Sequence, residues 1–319
     1  MIQIKRNKVT RGVEGKDFLF YGEPSTRKTS VAAQFPGALI AAAEIGYKLI
    51  PDAAVADIPD WRSFLELIKE LKTPEMKSQF KTIVIDTVDI LQDMCQQYVC
   101  NINGIKALGD AGFGKGWTEY KNQFNRAIDT IKQNGYSIVF IAHCDIKKGE
   151  DGLIKSIGPI MDKQPKKKVE AATDIILYLQ KEVVNEKETV MAYSYLPDNI
   201  MTKSRVAGLA PKFEFTYENL NNEINKALDG YSEHYGKDIE IGKAESAEDK
   251  SGDDLDFETI KQQTIDLVLK NTSEGASEAL QQQTTELVMN AMNGTPLSQA
   301  PESYKQVLLD LQQALQQLK

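Results

Sequence analysis

Residues 17–29 read DFLFYGEPSTRKT, and this stretch decides the fold class of the chain. The run Asp17–Tyr21 is apolar after its first residue and ends at a turn, which predicts a buried strand. A helix is predicted to begin near Lys28, with Thr29 directly after it. A strand, a tight loop and a helix in this order predict a phosphate-binding loop (P-loop), because backbone N–H groups at a helix amino terminus attract anions. The residues expected to surround the phosphates are Gly22, Glu23, Pro24, Ser25, Thr26, Arg27, Lys28, Thr29 and Ser30.

One position departs from the usual pattern GxxxxGK[ST], because Arg27 stands where a glycine normally precedes the lysine. A side chain is tolerated there if the backbone is already helical, and it is strained if φ is positive. The arginine could also add charge near the phosphates or contact a neighbouring subunit. The alternative is a loop that no longer binds nucleotide. We favour retained binding, because strand, turn, lysine, threonine and helix keep their register, and we leave hydrolysis open.

Further apolar runs alternate with stretches long enough for helices, such as Trp61–Leu71 and Trp117–Gln133. This alternation predicts an α/β fold with a mostly parallel sheet and helices on both faces. The later runs lack clear helices between them and predict an antiparallel extension at one edge. The other predicted strands are Ala38–Ala43, Thr82–Asp86, Ser137–Ala142, Asp174–Gln180 and Val190–Leu196.

Lys28, Thr29 and Asp86 are the residues expected to hold phosphate and metal. Lys28 would reach the β- and γ-phosphate oxygens of ATP, and the Thr29 hydroxyl would join Mg²⁺. Asp86 ends an apolar strand that we expect to lie beside the P-loop strand, where a carboxylate can hold the metal's water shell. An aspartate at a strand end is usually a turn former, but its place after a P-loop favours the functional interpretation.

Two further predicted strands are followed by residues that could take part in catalysis. Glu44 follows Ala38–Ala43 and would point from the edge of the sheet where ligands lie, so it is a candidate general base for the attacking water. His143 follows Ser137–Ala142 at the same edge and is a candidate sensor of the γ-phosphate. The alternatives are a charge at a helix amino terminus for Glu44 and a structural histidine for His143.

The charge of the chain is unevenly distributed. The 319 residues carry a formal net charge of −8, which at face value speaks against nucleic-acid binding. Residues 231–319 hold 7 Lys and Arg against 16 Asp and Glu, so the first 230 residues carry +1. We therefore predict a nucleotide-binding core over residues 1–242, an acidic linker over 243–256 and a helical C-terminal region over 257–319.

The last predicted helix has leucines at positions 308, 311, 315 and 318, a seam that needs a partner. The spacing fits a coiled coil or a small bundle closing on itself, and we favour the bundle. No apolar run approaches the roughly 20 residues of a membrane span, and the first residues lack a signal peptide's apolar core. We expect a cytoplasmic protein without a membrane partner.

The order of these elements resembles the RecA-like superfamily of P-loop ATPases: a P-loop, then strands ending in Glu44, Asp86 and His143. AAA+ ATPases place the catalytic acid directly after the metal-binding aspartate. Here that neighbour is Thr87, and Glu44 on the preceding strand follows the RecA type. The segments GEPSTRKT, AQFP and GFGKGW are most similar to phage-encoded RecA-like ATPases of the Sak group, which act in recombination modules. The resemblance covers roughly residues 15–220.

The resemblance implies a homo-oligomer, a ring or a filament, with Mg-ATP bound between subunits. The segment Thr202–Arg205 looks like the K-x-R element that RecA-fold proteins insert into the adjacent subunit's site. Lys203 and Arg205 would then stabilise charge on the neighbour's γ-phosphate. The alternative is a solvent-exposed basic turn.

The resemblance also places single-stranded DNA on two mobile loops, Asn101–Trp117 and Cys144–Val169. Glycines, lysines and aromatic residues suit backbone contact and base stacking, although we favour Trp117 as the first buried residue of its helix. The candidate DNA-binding residues are Lys106, Phe113, Lys115, Lys147, Lys148, Lys163, Lys166, Lys167 and Lys168.

The residues predict an ATP-binding protein, and the resemblance implies that it hydrolyses ATP and acts on single-stranded DNA in recombination or annealing. One alternative is a nucleotide-dependent binding or regulatory module with little hydrolysis, and another is a helicase-type motor or loader. The C-terminal region would dock a single-strand-binding or other recombination protein, or its acidic linker would compete with DNA.

Overall fold

The computed structural model describes residues 9–197, 199–231, 234, 241–242, 257–273, 276–292, 294–316 and 318. The chain divides after residue 244 into two compact units. The predicted acidic linker, residues 243–256, lies outside the described residues.

The first unit is a mixed α/β structure. Its strands are β1 (Val9–Thr10), β2 (Phe18–Gly22), β3 (Ala38–Ala42), β4 (Ala54–Asp57), β5 (Thr82–Asp86), β6 (Ser137–Lys148), β7 (Ile154–Pro159), β8 (Ile175–Val184), β9 (Lys187–Tyr193), β10 (Lys203–Ser204), β11 (Lys212–Glu214) and β12 (Ile241–Gly242). Its helices are α1 (Lys28–Ala32), α2 (Trp61–Glu70), α3 (Pro74–Gln79), α4 (Val88–Asn103), α5 (Lys115–Gln133), α6 (Lys163–Ala172) and α7 (Tyr217–Asp229), with a 3₁₀ turn at Leu108–Ala111.

The central sheet has the strand order β11-β9-β8-β2-β6-β5-β3-β4. From β8 to β4 every neighbouring pair is parallel. At the other edge β9 is antiparallel to β8, and β11 is antiparallel to β9. The predicted fold class is confirmed, including the antiparallel extension. A short parallel pair, β1 with β12, stands apart from this sheet.

Helices cover both faces because alternate residues of each buried strand point to opposite sides. On one face Leu19 and Tyr21 of β2 belong to a cluster with buried residues of α2, α4 and α5, such as Trp61 and Phe124. On the other face Phe18 and Phe20 pack with residues of α1 and α7. The P-loop strand is therefore the centre of the core, and its position is fixed from both sides.

One expected neighbour is wrong. The strand β5, which ends in Asp86, does not lie beside the P-loop strand β2, because β6 is inserted between them. The register pairs Gly22 with His143 and Asp86 with Ile141, so β6 carries the histidine into the gap between the P-loop and the aspartate. The sequence did not order parallel strands, since the crossover helices between them permit several orders.

The segment Cys144–Val169, expected to be a mobile loop, has regular structure. The strand β6 continues to Lys148 and pairs with β7 as an antiparallel hairpin, and α6 begins at Lys163. The apolar pattern ends at Ala142 because the rest of β6 leaves the core, and Ile146 there is partly exposed. Hydrogen bonding between the two hairpin strands, rather than burial, extends the strand.

The segment Asn101–Trp117 is also partly regular. It contains the end of α4, the 3₁₀ turn and the first residues of α5. Trp117 is half exposed and makes an edge contact with the ring of Tyr120, so its assignment as a buried residue is wrong. Gly116 is the buried residue there, and an added Cβ would lie 2.3 Å from the carbonyl oxygen of Leu108.

The second unit contains α8 (Phe257–Asn271), α9 (Glu278–Met292) and α10 (Lys305–Gln316). Leu308, Leu311 and Leu315 are buried in one cluster with Ile260 and Met292. The favoured interpretation of the leucine seam as part of a small bundle agrees with this packing. Gln312 of α10 donates to the carbonyl of Ile260 and to the Thr264 hydroxyl at 2.9 Å each, which satisfies polar groups inside the bundle. Of the helices in the described part of the chain, none combines the length and apolar character that a bilayer crossing requires.

Candidate nucleotide-binding site

The carboxyl ends of four parallel strands bring the predicted site residues to one edge of the sheet. Gly22 ends β2, Asp86 ends β5, Glu44 follows β3, and His143 on β6 is level with Gly22. The backbone N–H of Glu44 also bonds to the carbonyl oxygen of Asp86 at 3.2 Å. Ligands of open α/β sheets bind at this edge.

Gly22 is required by the neighbouring backbone. An added Cβ would lie 2.2 Å from the carbonyl oxygen of Leu179 in β8, which is far inside van der Waals contact. This close approach lets the chain leave β2 and turn at once into the loop. The Thr26 hydroxyl closes the turn by donating to the carbonyl of Glu23 at 2.8 Å.

The ammonium group of Lys28 lies inside the loop. Its Nζ donates to the carbonyls of Gly22 (3.2 Å) and Glu23 (2.9 Å) and to the Thr26 hydroxyl (3.2 Å). Burial lowers the pKa of Lys28, while Asp86 and other nearby carboxylates oppose that shift. A buried cation held by carbonyl oxygens at a helix amino terminus suits contact with phosphate oxygens.

Arg27 has φ of +58°, so the structure selects the strained alternative. The residue is exposed and precedes α1 in the left-handed conformation, which costs a side-chain-bearing residue about 1 kcal/mol. Ser25 in the same loop is also left-handed, with φ of +64°. The loop therefore keeps the backbone shape that glycine would adopt freely, and the arginine side chain points into solvent without blocking the loop interior.

Thr29 and Asp86 form the candidate metal site. The Thr29 hydroxyl donates to Oδ2 of Asp86 at 2.7 Å, and Asp86 is buried. Its Oδ1 has no hydrogen-bond partner among the described residues. Burial, more than any charge, raises the pKa of Asp86 to about 6. The Thr29 hydroxyl and a carboxylate whose second oxygen is buried and unpartnered are oxygen donors of the kind that Mg²⁺ binds, so these residues fit a magnesium ion.

Glu44 faces the same space. The position that a Cβ of Gly46 would take lies 3.8 Å from Oε1 of Glu44, 3.9 Å from Oδ2 of Asp86 and 4.0 Å from Oγ1 of Thr29. Three oxygen-bearing side chains thus border one small volume that a larger residue at position 46 would fill. The Glu44 side chain keeps about a third of its surface exposed, so solvent reaches it.

His143 is held by Asp89, a residue that the sequence analysis did not single out. Nδ1 of His143 lies 2.7 Å from Oδ2 of Asp89, and the backbone N–H of His143 donates to Oδ1 at 3.2 Å. The other ring nitrogen, Nε2, lies 3.9 Å from Oε2 of Glu44. Asp89 is in the first turn of α4, three residues after Asp86. Only that spacing behind the strand that ends in Asp86 could have pointed to it.

Lys203 and Arg205 lie away from this site within the chain. Lys203 pairs with Ile176 of β8, level with Leu19 at the amino end of β2, whereas the P-loop follows the carboxyl end. Nζ of Lys203 donates to the carbonyls of Glu170 and Thr173. The guanidinium of Arg205 donates to the carbonyl of Ala171 and to the carboxylate of Asp174. Both cations thus satisfy carbonyl groups at the carboxyl end of α6.

The candidate DNA-binding residues lie on two segments, Asn101–Trp117 and Cys144–Val169. Phe113 is fully exposed, with φ of +46°, between two glycines whose φ is also positive. On the hairpin and α6 most of the lysines are exposed, but Lys168 forms an ion pair with Asp129 of α5. The exposed lysines of this set are Lys106, Lys115, Lys147, Lys148, Lys163 and Lys167, and Lys166 is half-buried.

Comparison with known proteins gives two matches. A family model described as "AAA domain" matches residues 14–206, more than half of the chain. The chain is also 26% identical over 313 residues to the SPbeta prophage-derived uncharacterized protein YorG of Bacillus subtilis strain 168, which covers 95% of this chain and 94% of the relative. The matched family region contains the P-loop and the residues Glu44, Asp86, Asp89 and His143.

Proposed function

Because the chain belongs to the AAA domain family of P-loop ATPases, we propose that it binds Mg-ATP, hydrolyses it and acts on single-stranded DNA in phage recombination or strand annealing. The observation that carries the proposal is the convergence of Lys28, Thr29, Asp86 and Glu44 at one edge of the sheet. The resemblance of the P-loop and GFGKGW segments to the Sak group supports the recombination role. The relative's prophage origin supports a phage setting, and the host cytoplasm is the compartment we propose.

In this proposal Lys28 binds the β- and γ-phosphates, and the backbone of residues 22–30 surrounds them. Thr29 and Asp86 hold Mg²⁺, which neutralises phosphate charge when it is bound. Glu44 accepts a proton from the attacking water, since its carboxylate is close to the metal-binding oxygens and reached by solvent. His143, which lies between the P-loop and Asp86, is the proposed sensor of the γ-phosphate.

A second candidate function is a nucleotide-dependent binding module with little hydrolysis, and Arg27 is the observation that favours it. Its left-handed backbone costs the loop free energy in every state. The exposed guanidinium would have to turn from solvent toward the phosphates, where it would add a donor that holds a bound nucleotide in place. The two candidates differ in turnover and not in affinity.

The basic hairpin and α6 are the proposed DNA-binding surface. Lys147 and Lys148 on β6 and Lys163 and Lys167 on α6 are exposed in a body whose net charge is near neutral. Phe113 offers a fully exposed ring, a suitable stacking surface for an unpaired base. We expect DNA affinity to fall steeply with salt, because each phosphate contact releases a counterion.

The proposed oligomer places Lys203 and Arg205 at the neighbour's γ-phosphate. In the chain itself both cations cap α6, so they would have to exchange those carbonyls for phosphate oxygens. A mixing experiment separates the two roles. The double variant Lys203→Ala with Arg205→Ala and the variant Lys28→Ala should each lack activity alone, and their mixture should recover part of it at mixed interfaces. Absence of recovery would refute the trans-acting role.

The test of the proposed function is ATP turnover titrated with single-stranded DNA. We expect stimulation by DNA, loss of binding in Lys28→Ala, and binding without turnover in Glu44→Gln. Nucleotide binding without turnover in the unmodified chain, unchanged by Glu44→Gln, would favour the binding module. Annealing of complementary strands without unwinding of a forked duplex supports recombination, and ATP-driven unwinding would favour a helicase-type motor or loader.

A further inference from the structure

We propose that Asp89 is a positioning residue that fixes the tautomer of His143, so that Nε2 of His143 and the carboxylate of Glu44 accept hydrogen bonds from one water molecule. The inference rests on the proposed ATP hydrolysis and assigns to His143 a partner that its sequence context did not show.

The Asp89 carboxylate contacts His143 at two atoms. Its Oδ1 accepts from the backbone N–H and its Oδ2 lies 2.7 Å from Nδ1, which fixes both the backbone position and the ring rotation of the histidine. Asp89 is itself fixed, because it is buried in the first turn of α4. The ring therefore has one orientation, and that orientation turns Nε2 toward Glu44.

The contact with Asp89 also determines which ring nitrogen of His143 carries the proton. A carboxylate only accepts hydrogen bonds, so the short contact to Oδ2 requires a proton on Nδ1. In the neutral ring Nε2 then carries a lone pair and is an acceptor. In this arrangement the carboxylate that binds one ring nitrogen determines whether the other ring nitrogen, which faces the site, donates or accepts hydrogen bonds.

Glu44 and His143 thus present two acceptors to the same space. Oε2 of Glu44 and Nε2 of His143 are 3.9 Å apart, which is too long for a direct hydrogen bond and short enough for one water to contact both. A water that donates to both acceptors has its lone pairs turned away from them. Its proton passes to Glu44 as its oxygen forms the bond to phosphorus, and the bond from phosphorus to the leaving oxygen breaks.

The direct test is ¹⁵N NMR of the imidazole rings. The chain has two histidines, so a His234→Gln variant leaves His143 as the sole ring. In the spectrum of the neutral ring, recorded in alkaline buffer, we expect a protonated Nδ1 and an unprotonated Nε2. The opposite tautomer would overturn the proposal. This measurement needs neither nucleotide nor a change at Asp89, so it is decisive even if Asp89 variants fold poorly.

The kinetic test uses Asp89→Asn. The amide can still accept the backbone bond, but its NH₂ group donates to Nδ1 and moves the proton to Nε2, so Nε2 no longer accepts from the water. We expect kcat for ATP to fall by about tenfold or more with little change in nucleotide affinity. Asp93→Asn, one turn later on the same helix and exposed, is the matched control and should leave kcat unchanged.

A double-mutant cycle separates positioning from general structural support. In a His143→Gln background Asp89→Asn should lower kcat no further, because the residue acts through the histidine. Additive losses, an unchanged kcat in Asp89→Asn, or an equal loss of nucleotide affinity would each refute the proposal. Absence of turnover in the unmodified chain would instead refute the proposed function, and the NMR result would still test the tautomer.

Discussion

Replacing Asp86 by asparagine should stabilise the first unit in the absence of metal and abolish the proposed Mg²⁺-dependent ATP turnover. Burial raises the pKa of Asp86 from 3.8 to about 6, so the folded state holds a proton there that the unfolded chain releases at lower pH. Between these two pKa values the folded state binds more protons, and the free energy of unfolding falls as pH rises. The charged carboxylate therefore costs the folded state about 3 kcal/mol at about pH 7.5 and about half of that near pH 5.

Asparagine removes this cost and keeps one favourable contact, because its amide oxygen can accept from the Thr29 hydroxyl. The NH₂ group takes the place of an oxygen that has no partner among the described residues, which offsets part of the gain. We expect Asp86→Asn to be more stable by about 1–3 kcal/mol at about pH 7.5 in EDTA, and by less near pH 5. Added Mg²⁺ and ATP should stabilise the unmodified chain and not the variant.

The assay is urea unfolding followed by tryptophan fluorescence. The only two tryptophans in the sequence, Trp61 and Trp117, both lie in the first unit, so the signal reports that unit. Asp151→Asn changes the net charge equally at an exposed loop position and serves as the control. A variant less stable than the unmodified chain in EDTA at about pH 7.5, or a stability gain that grows toward pH 5, would refute the reasoning.

Three further predictions follow from the geometry. Arg27→Gly should raise the free energy of unfolding by about 0.5–1 kcal/mol, because glycine adopts φ of +58° without strain, and no change in urea midpoint would contradict this. Burial lowers the pKa of Lys16 to about 8, so between about pH 8 and 10.5 the unfolded chain binds more protons than the folded chain does. The free energy of unfolding measured in urea titrations should therefore rise over that interval. Lys16→Met should remove the rise. Lys163→Ala combined with Lys167→Ala should weaken single-stranded DNA binding and reduce its salt dependence by about 0.7 per contact, whereas Lys168→Ala, whose ammonium is paired with Asp129, should change the slope less.

The strand–loop–helix unit and most of the sheet could be predicted because their signals are local. DFLFY is apolar enough to be buried on both faces, and the loop after it matches a pattern that needs a particular backbone. Asp86, Glu44 and His143 stand at the ends of apolar runs, and parallel strands bring such residues to one edge whatever their order. The convergence at one edge is therefore predictable, while the insertion of β6 beside β2 is not.

Two further features could not be predicted: a backbone angle and a contact between residues distant in sequence. The φ of Arg27 is a backbone angle of the folded loop, and a single sequence does not give backbone angles. Asp89 and His143 are 54 residues apart and meet only because α4 runs beside β6. Before folding, an aspartate in the first turn of a helix is indistinguishable from one that stabilises the helix dipole.

The helix α4 connects the candidate catalytic residues to the basic segment. Near its start Asp89 holds His143, whose carbonyl accepts from the backbone N–H of Ile160 at 2.8 Å. One turn further on Gln92 accepts from the backbone N–H of Asp162, and Gln96 donates to the Asp162 carboxylate at 2.6 Å.

Asp162 directly precedes α6, so the same helix fixes the histidine and the first turn of the lysine-bearing helix. Phosphate contacts that moved this first turn would act on α4 and through it on His143, which gives the expected stimulation by DNA a physical route. Gln92→Leu should then reduce the stimulation by DNA while leaving the basal turnover near its unmodified value, because Gln92 contacts the start of α6 and not the ring. An equal loss of basal and stimulated turnover would show that α4 supports only the site.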